Sequence, residues 1–190
     1  MSDVPRDHLM VFFVRHPISR FVSGFYSRLR RGLPRHHYEW NEAEQRAFHH
    51  FQKANDLAEG LSSTDSTVAT RAGEAMRGIS HVKNTYKDWF SGVQELDDRL
   101  DSILLLGIQE QLDADFGRLK MLLNLPTTLS LPEDDALAHR TPQQFDRSLS
   151  PLSVRNLSEW YAEDIRFYEH CLRVRTTQIH SCQTAPNRMG

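Results

Sequence analysis

The chain has 190 residues, of which 39% are hydrophobic and 25% charged, with a formal net charge of −2. This composition fits one soluble globular domain that buries its own core, and excludes low-complexity and strongly charged disordered chains. No stretch approaches the roughly 18 consecutive apolar residues of a membrane-spanning helix, and MSDVPRDHLM lacks the basic-then-apolar pattern of a signal peptide. No membrane partner is therefore expected, and a cytoplasmic location is. Cys171 and Cys182 form neither a CxxC pair nor a metal-ligand spacing, and read as reduced thiols.

The charge is unevenly spread. Residues 1–37 carry seven arginines (Arg6, Arg15, Arg20, Arg28, Arg30, Arg31 and Arg35) against Asp3 and Asp7, while the remainder is acidic. Nineteen of the 23 basic residues are arginine, the side chain whose fork matches phosphate and sulfate oxygens. A local basic field on an otherwise acidic chain points to a small anionic ligand rather than a nucleic-acid track.

In chain order, HLMVFFV (8–14) is a short apolar run rich in β-branched and aromatic residues, and predicts a buried strand of a parallel sheet. Pro17 suits the first turn of a helix, and Ile18, Phe21, Val22, Phe25 and Leu29 recur at helical spacing until Gly32 and Pro34 end it. A second helix is expected from Asn41, with Glu44 as capping-box partner, to about Leu57, and a third over 66–76. Segment 81–101 is predicted irregular with short helical turns. SILLLG (102–107) is the second strand candidate, followed by a helix near 109–124 with Leu112, Phe116, Leu119 and Leu123 on one face. A long polar loop spans 125–149. Ser150 then caps a helix with Pro151 at its first position and a stripe of Val154, Leu157, Tyr161, Ile165, Tyr168 and Leu172. One domain over 1–177 and a disordered tail over 178–190 are expected. The strand–helix order argues an α/β fold, a parallel sheet flanked by helices.

The chemistry concentrates in VFFVRHPISRFVSGFYSR. Arg15 is the first residue past the strand, at the sheet edge where open α/β sheets bind ligands. The helix beginning at Pro17 directs unpaired N–H groups and its positive dipole end to that edge. At 100° per residue, Ser23 lies ~140° from Ile18, off the apolar stripe and on a flank shared with Ser19, Tyr26 and Arg30. A guanidinium and a hydroxyl so placed can bracket one phosphate, each charge-assisted contact contributing ~1.5–3 kcal/mol. Pairing of Arg15 with an acidic neighbour and a merely superficial Ser23 is the alternative.

The run R-H-P-x-x-R-F-x-S-x-[FY] (15–25) resembles the 3′-phosphate-binding motif of sulfotransferases that use 3′-phosphoadenosine 5′-phosphosulfate (PAPS), and GFYSRLRRG is similar to carbohydrate-type and bacterial members. LLLGIQEQLDADFGRLKMLLNL and LSPLSVRNLSEWYAEDIRFYEHC resemble the family's later strand–helix and its C-terminal helix. The resemblance implies a P-loop nucleotide-kinase-like fold and sulfuryl transfer from PAPS to a hydroxyl or amine of an acceptor, a carbohydrate among the candidates. It also implies a 3′-phosphate held by Arg15 and Ser23, and no required metal. Arg140 in AHRTP falls where the family closes a loop over the nucleotide, as a further contact or a solvated arginine.

That family opens with a strand and a Gly-rich loop bearing a lysine that grips the 5′-phosphosulfate. Here none of Lys53, Lys83, Lys87 and Lys120 follows a Gly-rich turn after a strand. The expectation is an N-terminally truncated domain, a start placed upstream, or a site completed by another chain, with the catalytic residue unassigned. Two rival readings are a non-catalytic relative that binds adenosine 3′,5′-bisphosphate, and a helical interaction module with an Arg-rich anion-binding face. The pairs His36–His37 and His49–His50 read as surface histidines, because adjacent residues on a helix point apart. His81 is a candidate general base or a loop residue, and Trp89 with Phe90 a candidate adenine platform or core. The Arg28, Arg30, Arg31 and Arg35 cluster is a candidate acceptor patch or a solvated helix end.

Overall fold

Met10–Val14 forms β1 and Ile103–Ile108 forms β2 in the computed structural model, which describes residues 4–135, 137–138 and 140–184, with side chains to residue 177. The two strands pair parallel, Val14 opposite Ile108, with an irregularity between Met10 and Val11. Among the described residues the sheet has these two strands. The helices are α1 Pro17–Leu29, α2 Glu42–His50, α3 Ala54–Gly60, α4 Ser66–Gly78, α5 Lys87–Phe90, α6 Val93–Asp97, α7 Leu112–Leu122, α8 Pro151–Trp160 and α9 Ala162–Thr184. Short 3₁₀ turns cover Leu100–Ser102 and Gln109–Gln111. None of these helices is long and apolar enough to cross a membrane. The α/β class and the parallel pairing agree with the sequence pattern.

The described chain clusters into two compact units. Of the described residues, the first draws on 4–16, 86–129 and 163–184, the second on those within 17–85 and 130–162. In the first, Val14, Tyr86, Leu96, Leu106, Phe167 and Cys171 form one core against the strands. Phe90 stacks on Phe167 at 5.0 Å and lies 4.9 Å from Phe12, so it belongs to this core, while Trp89 stays exposed. Burial pushes the free Cys171 thiol up to about 12, which makes it inert. α7 departs from its predicted stripe: Leu123 is exposed, and the buried position is Asp115. That carboxylate accepts from the Ile108 backbone N–H at 2.8 Å and from Arg175 at 2.8 Å, so it ties α7 and α9 to the end of β2.

The second unit is helical. Asn41 and Glu44 close the expected capping box at the start of α2, and the Asp65 carboxylate accepts from Thr67 N–H at 2.8 Å to start α4. The Ser150 hydroxyl accepts from Ser153 N–H at 3.1 Å with Pro151 at the first position of α8. The single helix expected over 41–57 is two, because Phe51 is extended (φ −119°, ψ 107°) between α2 and α3. The helix expected from Ser150 to Leu172 likewise breaks at Tyr161, whose hydroxyl donates to the Val82 carbonyl at 2.7 Å. α9 continues to Thr184, into the segment expected to be disordered; residues 185–190 lie outside the described ones.

Candidate functional site

In the first unit, parallel pairing brings the carboxyl ends of β1 and β2 to one edge, from which Arg15 and Gln109 emerge. Arg15 is half-buried there and its backbone is clamped. The buried Tyr86 hydroxyl accepts from Arg15 N–H at 2.7 Å and donates to the Arg15 carbonyl. Asp164, itself buried, fixes Tyr86 in turn by accepting its backbone N–H at 3.0 Å. The next residue is held the same way: Glu110 accepts from His16 N–H at 2.9 Å, and the His16 ring meets Tyr168 edge-on at 5.3 Å. Burial and the Glu110 carboxylate push the Tyr168 phenol up to about 12, so it remains a neutral donor at physiological pH. The edge thus presents an arginine whose backbone cannot shift, which is the preorganisation an oxyanion ligand requires.

Replacing Tyr86 by Phe would strip both Arg15 backbone groups of their partner. Tyr86→Phe is expected to lose about 1–3 kcal/mol in urea unfolding and to speed hydrogen exchange at the Arg15 amide. Unchanged exchange at that amide would count against the clamp.

In the second unit, Ser23 lies half-buried on α1. The flank predicted for it is only partly polar. Tyr26 is 1% exposed, packs on Phe25 and Phe145 at 5.2 and 5.0 Å, and donates to the Asp146 carbonyl, so it is core. Arg30 keeps its Nε and Nη1 buried without hydrogen-bond partners, and burial lowers its pKa. His81 has φ 68° and is exposed, its backbone so close to α1 that a Cβ on Gly24 would lie 3.2 Å from the His81 Cβ.

The proposed arginine patch is largely spent on internal contacts. Arg28 is buried and forked onto Glu44, with 2.7 Å for each of its two bonds. Arg31 pairs with Glu39 at 3.2 Å and stacks over Trp40, and Arg35 donates to the Leu137 carbonyl at 2.9 Å. Arg140 is exposed and donates to the Asp135 carboxylate at 3.0 Å and to the Glu133 carbonyl at 3.4 Å. The neighbouring His139 of its motif lies outside the described residues. Tyr86, Asp164 and Glu110 are the site residues that sequence reasoning missed. Their partners are 71 to 94 positions away in the chain, a separation that no local motif records.

Together these features define an α/β protein with an arginine fixed at the carboxyl edge of parallel strands. A family model described as the sulfotransferase family matches residues 1–170, and the chain belongs to that family. Membership associates it with sulfuryl transfer in general. No curated protein and no solved structure matches the chain.

Proposed function

We propose that the protein transfers a sulfuryl group from PAPS to a hydroxyl or amine of an acceptor, carbohydrates among the candidates. Arg15 and Ser23 hold the donor's 3′-phosphate in this reading, and Arg140 is a further contact. The observation that carries it is the R-H-P-x-x-R-F-x-S run in a sulfotransferase-family chain, its first arginine leaving a strand of a parallel pair with its backbone pinned by Tyr86. A guanidinium and a hydroxyl are the donor set that a phosphate monoester needs, which fits the 3′-phosphate. When bound, PAPS supplies the chemistry by in-line displacement: the acceptor oxygen or nitrogen bonds to sulfur, the bond from sulfur to the 5′-phosphate oxygen breaks, and adenosine 3′,5′-bisphosphate leaves.

The acceptor proton goes to a general base, for which His81 is a candidate. None of the four lysines follows a Gly-rich turn after a strand, so the 5′-phosphosulfate has no assigned ligands in these 190 residues. We extend the fold reading to a P-loop nucleotide-kinase-like domain over 1–177, located in the cytoplasm. The chain passes between its two units at 16/17, 85/86, 129/130 and 162/163, and neither unit is a contiguous segment, which favours one domain over two.

Calorimetry tests this reading directly. Adenosine 3′,5′-bisphosphate is expected to bind at least about tenfold more tightly than adenosine 5′-monophosphate, which lacks the 3′-phosphate. Equal affinity for the two nucleotides removes the 3′-phosphate role of the motif.

A further inference from the structure

In the second unit, α2 and α4 run antiparallel: Ala43 meets Gly78 at one end, and His50 and Arg71 line one cleft at the other. The contact is very close, since a Cβ on Gly78 would lie 2.6 Å from the Ala43 Cβ. Positions 43, 46, 47 and 50 on α2, and 71, 74, 75 and 78 on α4, each repeat at i, i+3, i+4, i+7. One stripe of each helix therefore faces a common space.

That space is an open cleft of about 580 Å³, within the ~300–1,000 Å³ range of small-ligand sites. Its floor is made of small side chains, with Ala47 and Ala75 buried. Three arginines stand around the floor, Arg46, Arg71 and Arg77, together with His50, and Glu74 is the one carboxylate in the lining among the described residues.

The three arginines are poorly compensated. Arg71 makes no ion pair or hydrogen bond among the described residues. Arg46 reaches Glu42 only at 3.9 Å with both side chains largely exposed, a pairing of little worth. Arg77 lies over the Trp160 ring at 5.7 Å, which leaves its charge unneutralised. Partial desolvation, then the charges of Arg71 and His49, pull the His50 imidazole below its ordinary pKa. Clustered like charge around a concave floor is unfavourable in the empty cleft and becomes favourable once an anion enters it.

We propose that this cleft binds a compact, multiply charged oxyanion, a molecule carrying two or more sulfate or phosphate groups. Arginine forks give such groups bidentate contacts. The cleft is short and the chain as a whole carries −2, which favours a compact anion over the long backbone of a nucleic acid. The site uses no residue of the 15–25 run and does not depend on the sulfotransferase reading.

The test is calorimetry of the full chain at low salt with inorganic pyrophosphate and with sucrose octasulfate, neutral sucrose serving as control, while NMR follows the His50 ring. The expected result is binding of at least one probe, weakened roughly tenfold or more by Arg71→Ala and less by Arg71→Lys. Binding should persist in Arg15→Ala and raise the His50 pKa. Binding of pyrophosphate alone assigns a phosphate ligand, and binding of sucrose octasulfate alone a sulfated one. Arg71 is exposed, so Arg71→Ala should unfold at the wild-type temperature. The proposal is overturned by no binding of either probe, by equal binding in Arg71→Ala, by loss in Arg15→Ala instead, or by a preference for duplex DNA.

Discussion

Glu44→Ala is expected to remove about 3–5 kcal/mol of folding stability, measured by urea unfolding at pH 7. Glu44 is 0% exposed and takes four hydrogen bonds: two from the Arg28 guanidinium at 2.7 Å, and one each from Ser80 and Asn41 N–H at 3.0 Å. The alanine variant strands a buried guanidinium and two backbone donors at once, and each such group costs free energy when it has neither water nor partner. Arg28 also anchors its surroundings, donating to the Glu39 carbonyl at 3.0 Å while its own carbonyl accepts from the Trp40 indole at 2.7 Å. The pair therefore joins α1, the helix that carries Ser23, to α2. A double variant, Arg28→Met with Glu44→Leu, should cost less than Glu44→Ala alone, because it removes both charges and leaves none buried unpaired. If the single variant lost less than about 1 kcal/mol, the pair would not be the tie that its geometry indicates.

The same carboxylate sets an acid dependence. Burial alone would raise the Glu44 pKa, but the Arg28 hydrogen bonds, the Asn41 and Ser80 N–H groups and the Arg28 charge together bring it from 4.5 down to about 2. The folded value lies below the unfolded one, so the carboxylate's contribution is complete above about pH 5 and is lost as pH falls toward 2. Unfolding free energies over that window should decline in the wild type and vary less in Glu44→Gln, whose amide does not titrate.

Local signals carried as far as local physics reaches. The apolar run before Arg15, the proline at the start of α1, the Asn41–Glu44 box and the Ser150–Pro151 start of α8 are each settled by a few adjacent residues, and each was legible. The breaks at Phe51 and Tyr161 were not, because apolar spacing runs straight through both. Ala47, Phe51, Ala54 and Ala58 keep a helical rhythm and all four are buried, yet the chain turns at Phe51, and only the packing of α3 against α8 and α4 requires that turn. Buried charge was illegible for a related reason. Arg28 and Asp115 look like surface residues until their partners at Glu44 and Arg175 are known, the latter 60 positions away. In the candidate site the motif named Arg15, but what immobilises it is a tyrosine 71 positions on.

That immobilisation makes Arg15→Ala an informative variant. The Tyr86 hydroxyl bonds to the Arg15 backbone N–H and carbonyl, both of which alanine retains, so the clamp survives and only the guanidinium is deleted. If Arg15 grips the 3′-phosphate, its loss should weaken adenosine 3′,5′-bisphosphate binding by about 1.5–3 kcal/mol, roughly 10- to 150-fold in Kd. Arg15→Lys should fall between, since a point charge replaces a two-pronged fork. Adenosine 5′-monophosphate supplies the internal control: with no 3′-phosphate to lose, its affinity should be the same in Arg15→Ala and wild type. Calorimetry on three proteins and two nucleotides therefore separates a phosphate contact from a general loss of fold, which would weaken both ligands together. Wild-type affinity of Arg15→Ala for the bisphosphate would dissociate the motif from the nucleotide altogether, whatever the family of the chain.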